Sequence, residues 1–97
     1  MNIFDYTTPK TSEAFTTLIK HKNIKITRII SSDSPENIEY IQDEDEWVVL
    51  LEGRAKLLID KEEKILEKGD TLLIPSNTPH KVLETACGTL WLAVHIF

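Results

Sequence analysis

Ninety-seven residues, 41% of them hydrophobic and 28% charged, suffice for one modest core and are too few for two. A formal net charge of −5 sets the chain against a nucleic-acid backbone as partner. No stretch reaches the roughly 20 apolar residues that would span a bilayer. The opening "MNIFDYTTPK" puts no apolar run behind a basic segment, so no secretory signal is expected there. Cys87 stands alone, which excludes an internal disulfide, suits a reducing compartment and makes the cytoplasm the expected location.

In chain order, residues 1–23 read as an N-terminal arm and 24–97 as a single barrel domain. Within the arm, "TSEAFTTLIKH" carries Phe15, Leu18 and Ile19 at spacings that share one helical face, which predicts a short helix. Thr11 or Ser12 would cap it, Pro9 suits its approach, and Asn23 ends it. "NIKITRIISS" then alternates, predicting a strand from Ile24 to Ile30. "SSDSPEN" is a loop and "IEYIQ" a short strand. From Glu46 onward, "EWVVLLE", "AKLLID", "KILE", "TLLIP", "HKVLE" and "GTLWLAVHIF" are separated by turn chemistry at short, regular intervals. That is the pattern of an antiparallel barrel or sandwich.

Both faces of "EWVVLLE" are rich in apolar residues, with Glu46, Val48 and Leu50 on one and Trp47, Val49 and Leu51 on the other. A strand with one wet face would alternate apolar and polar. The outer face therefore needs cover, from the arm, from a second subunit or from both, and a homodimer built on sheet surfaces is expected.

"EKGDTLLIPSNTPHKVLE" raises a sharper question. It builds a strand, stops it at Pro75, restarts it after Pro79 and places His80 at the restart. Gly69, Pro75, Asn77, His80 and Glu84 resemble the second motif of the cupin superfamily. Glu46 followed by Gly53 is similar to the end of the first. The resemblance covers roughly Ile24 to Phe97 and implies an all-β cupin jelly-roll barrel with a pocket at its mouth, entered here with the short helical arm in front. Metal-binding cupins usually open the first motif with two histidines; at that place this chain has Tyr40-Ile41-Gln42. "YIQDEDEWVVLLEG" resembles a compact cupin subgroup with Tyr and Gln near that position and a last strand ending in "WLAVH". The resemblance implies a fold and a pocket, and no particular reaction.

Glu46 and His80 match two of the four family ligand positions, with Gln42 or Tyr40 as weaker helpers. Imidazole and carboxylate suit iron, manganese, nickel or zinc, whereas a neutral phenol is a poor ligand. The competing arrangement is a metal-free Glu46–His80 hydrogen bond. Such a pair can also serve as catalytic acid and base, since facing titratable groups in an apolar mouth perturb each other. His95 shares a face with Trp91 and Ala93; if that face is interior, it joins the pocket and can supply a missing ligand, and otherwise it is a core or interface residue. Asp43 to Glu46 read as a solvated acidic loop apart from Glu46, Trp47 as a packing or dimer residue, His21 as solvated, and Cys87 as unreactive. The functional expectation is small-molecule binding by Tyr40, Gln42, Glu46 and His80. The alternatives are an isomerase, lyase or oxygenase acting on a small polar or sugar-like substrate, and an interaction module with a vestigial pocket.

Overall fold

The computed structural model describes all 97 residues and contains eight strands and no helix. They are β1 (Glu13–His21), β2 (Ile24–Ser31), β3 (Asp45–Glu52), β4 (Arg54–Ile59), β5 (Glu62–Glu67), β6 (Thr71–Ile74), β7 (His80–Thr85) and β8 (Thr89–Ile96). They form a five-stranded sheet, ordered β1-β2-β8-β3-β6, facing a three-stranded sheet, ordered β5-β4-β7. All neighbours are antiparallel. The core between the sheets holds Ile29, Val48, Leu50, Ala55, Leu57, Leu66, Trp91 and Ala93.

The arm is the main correction. Glu13–His21 is a strand, paired with β2 from Glu13↔Ser31 to His21↔Ile24, so the sheet begins ahead of residue 24. Thr16, Thr17 and Ile19 are β-branched and Phe15 aromatic, which favours a pleated surface. The register shifts between Thr17 and Ile19, and that bulge breaks the alternation that would have shown the strand. Lys22, at φ 52°, and Asn23 make the turn where a helix end was expected. The strand read in "IEYIQ" is reduced to one bridge, Tyr40↔His80. This stretch crosses between sheets and leaves Ile38 and Ile41 exposed.

Residues ahead of β1 lie over the outer face of the large sheet. Arg28 Nη1 donates to the Asp5 carbonyl at 3.1 Å, and the Tyr6 hydroxyl donates to the Gly88 carbonyl at 2.9 Å. Beneath them Ile30 and Leu90, which point away from the core, are 3% and 0% exposed. Gly53, between β3 and β4, has φ +91°, and a Cβ there would come within 2.8 Å of the Thr89 Cα. Glycine is required on both counts.

Candidate functional site

The break between Pro75 and Pro79 is a change of sheet. β6 is an edge of the large sheet and β7 an edge of the small one, so the chain must leave one ladder and enter the other. Pro75 has no N–H with which to extend β6. Asn77, at φ 58°, turns the chain, and its N–H donates to the Gln42 carbonyl at 2.7 Å. Tyr40 and His80 exchange backbone hydrogen bonds of 2.8 and 3.0 Å. The 40–42 segment is thereby held against the start of β7, with the Tyr40 and His80 ring centres 6.1 Å apart.

A cavity of about 150 Å³ opens here between the sheets. Its polar wall is Glu13, Tyr40, Gln42, Glu46, His80 and His95, and its apolar wall includes Phe15, Ile29, Leu57, Val82 and Trp91. The sequence-read residues Tyr40, Gln42, Glu46 and His80 all line it. So does His95, whose face is interior because Trp91 and Ala93, four and two residues before it, sit in the core.

Glu46 and His95 are direct cross-strand neighbours. Glu46 Oε1 accepts from Gln42 Nε2 at 2.8 Å and lies 4.0 Å from His95 Nδ1. His95 Nδ1 donates to Glu44 Oε2 at 3.0 Å. The Thr78 carbonyl can only accept, so His80 Nδ1, 2.9 Å away, is the donor and Nε2 is left as the free base of the neutral ring. Glu46 and His80 are not hydrogen-bonded to each other; their bonds run to Gln42 and to the Thr78 carbonyl. Asp45 is occupied too, accepting from the Ser76 N–H at 2.8 Å. Three of the four acidic residues from Asp43 to Glu46 thus have defined partners and do not form a solvated loop.

No three histidine, cysteine or carboxylate side chains come together closely enough to hold an ion. The metal centre implied by the sequence resemblance does not fit the side chains present. Gln42 turns its amide nitrogen, a donor, toward Glu46, and His95 turns its Nδ1 toward Glu44.

Glu13 escaped the sequence reading. In strand β1 it shares a face with Phe15, and it anchors a buried chain of hydrogen bonds. Trp91 Nε1 donates to Ser31 Oγ at 2.9 Å, and Ser31 donates to Glu13 Oε2 at 2.6 Å. Burial pushes the Glu13 carboxyl above its usual range; the Ser31 hydrogen bond opposes this, while the charges of Glu46 and Glu36 add to it.

Residues 34–93 match the family described as Cupin domain, and the chain belongs to it. A structure from Ralstonia eutropha, bearing the provisional name mannose-6-phosphate isomerase, is 35% identical with a TM-score of 0.87, over 99% of this chain and 95% of that one. KdgF from a Halomonas species superposes with a TM-score of 0.81 over 88% of this chain and 76% of that one; at 12% identity the likeness is one of fold. An uncharacterized protein of Methanocaldococcus jannaschii is 45% identical over 38 residues, which are 39% of this chain and 30% of that protein. No helix is long and apolar enough to cross a membrane.

Proposed function

We propose that this cupin binds a small organic molecule in the cavity between its sheets, with Tyr40, Gln42, Glu46 and His80 as polar contacts. The observation that carries this reading is the lining itself. A few convergent polar groups stand at one side of a mostly apolar hollow, the usual make-up of a ligand site. A hollow of about 150 Å³ has room for a body the size of benzene. Nuclear magnetic resonance titration with compounds of about six to eight heavy atoms tests it. Binders should shift the Trp91 indole N–H and the His80 and His95 ring signals, leave Trp47 unmoved, and lose their effect in His80→Ala. Shifts confined to Trp47 would defeat the reading.

The Ralstonia relative supports a second reading, isomerisation with Glu46 and His80 as acid and base. His80 Nε2 is free to take a proton. Conversion of mannose 6-phosphate, followed by proton resonance and lost in Glu46→Gln and His80→Ala, would establish it in place of the first reading, whose cavity is too small for a sugar phosphate; no turnover by the intact chain removes it.

A homodimer through the large sheet is also part of the proposal. Leu73, Trp47, Val94, Ile26 and Ile19 are successive cross-strand partners and form one apolar row across all five strands. Leu73, Trp47 and Ile19 in that row are 53%, 37% and 49% exposed. A second copy offering the same row would cover it.

A further inference from the structure

We propose that the cavity selects a compact molecule carrying a protonated amine and rejects carboxylate and phosphate anions, because Glu13 and Glu46 both face it and no lysine or arginine does. The inference rests on the cavity being a binding site and adds the chemical class of its occupant.

Glu13 and Glu46 come from β1 and β3, with β2 and β8 between them in the sheet, so the two carboxylates approach the hollow from separate positions. Each has one oxygen committed to the protein. Glu13 Oε2 accepts from Ser31, and Glu46 Oε1 accepts from Gln42. Their other oxygens, Glu13 Oε1 and Glu46 Oε2, receive no hydrogen bond from the chain, although Glu46 is only 8% exposed.

The remaining polar lining, Tyr40, Gln42, His80 and His95, contains no lysine or arginine. Gln42 already gives its amide to Glu46, and His95 gives its Nδ1 to Glu44. Lys25, the cross-strand partner of His95, is not part of the cavity wall. An ammonium group placed against either free oxygen would form a charge-assisted hydrogen bond with it. A carboxylate or phosphate would add a third negative charge at short range in a poorly screened space. The raised affinity of Glu13 for its proton has the same origin, since a buried carboxylate without a cation nearby prefers to be neutral. Ile29, Leu57, Val82 and Trp91 would enclose the carbon skeleton.

Isothermal titration calorimetry of the intact chain with three probes of one shape tests the selection: cyclopentylamine, cyclopentanol and cyclopentanecarboxylate. The amine should bind about tenfold or more tightly than the alcohol, and the carboxylate should give no measurable binding. Glu13→Gln and Glu46→Gln keep an acceptor for Ser31 and Gln42, and should each bring the amine to within about twofold of the alcohol. If Glu13→Gln fails to fold, Glu46→Gln decides the point. The inference is overturned if the carboxylate binds as well as the amine, if all three bind alike, or if the preference for the amine survives in the folded variants. If none of the three binds, the cavity is not a ligand site, and the broader reading falls with this one.

Discussion

On the outer face of the three-stranded sheet, Lys56 lies 4.0 Å from Glu63 and 3.9 Å from Glu84, and Arg54 lies 3.7 Å from Glu67. On the outer face of the five-stranded sheet, Leu73, Trp47, Val94, Ile26 and Ile19 stand in a row, with Ile30 and Leu90 buried further along. The inner faces are alike, since both give aliphatic side chains to one core. The small sheet has the alternation of a half-wet antiparallel sheet, and the large one is apolar on both sides. A sheet apolar on both sides needs something against each. Residues ahead of β1, tied down through Arg28 and Tyr6, cover one end of the outer face and leave the row through Trp47 bare. Nearly all of the cavity's polar wall belongs to the large sheet or to the segment leading into it; the small sheet adds His80.

The sharpest way to break this comparison is to charge the bare row. Trp47→Lys puts an ammonium at its centre, where a buried aromatic anchor typically contributes 2 kcal/mol or more to an interface. Sedimentation analysis should show self-association weakened by a factor of roughly 30 or more, with the thermal unfolding of the monomer little changed. Lys56→Ala, on the opposite sheet, should leave association untouched. An intact chain that stays monomeric at high concentration would show that the row has no partner copy.

Much of this contrast can be read in the residues, and the reasons are local. "EWVVLLE" and "LWLAVHIF" carry apolar residues at both parities, and the Gly and Pro turns from Gly53 to Gly88 set strand limits because backbone geometry demands those residue types there. The cupin resemblance rests on the same features, which is why Glu46 and His80 could be placed together before any coordinates. β1 was not legible. Phe15, Leu18 and Ile19 satisfy a helical period equally well, and the register with β2 that makes them a strand is a long-range property interrupted by a bulge. Misreading β1 concealed Glu13, whose position beside Phe15 has meaning only on a pleated strand. The partners of Glu44 and Glu46 were hidden for a related reason, since Gln42 and His95 reach them from a loop and from the last strand.

Glu13 supplies a smaller and pH-dependent test on the inner side of the large sheet. Its carboxyl is raised in the folded state, first by burial, so the folded chain holds that proton to higher pH than the unfolded one does. As pH rises from the ordinary carboxylate range through the folded value, the folded state is progressively penalised relative to the unfolded. Glu13→Gln removes this charge and retains an acceptor for Ser31. Thermal melts should show the variant a few degrees more stable than the parent at neutral pH, the two converging as pH falls below the usual carboxylate value. A variant less stable at every pH would mean that the negative charge itself holds Ser31 and Trp91 in place, and that burial is not the dominant cost.

The smallest effect belongs to the charged face of the small sheet. Lys56 bridges Glu63 and Glu84, yet both carboxylates are more than half exposed, at 61% and 67%, and the two separations of 4.0 and 3.9 Å are at the outer limit of an ion pair. Water and salt screen such pairs, and holding a long side chain in one conformation has an entropic cost. Lys56→Ala should therefore change the denaturation free energy by roughly 0.2–1 kcal/mol, less at high salt. The lysine side chain is itself only 29% exposed, and its stem can cover apolar surface, so Lys56→Met, which keeps the stem and removes the charge, separates the two contributions. If Met restores what Ala loses, these charges keep the outer face wet and add almost nothing to stability. A loss in both variants well above 1 kcal/mol would make the ion pairs structural and erase the distinction between the two faces.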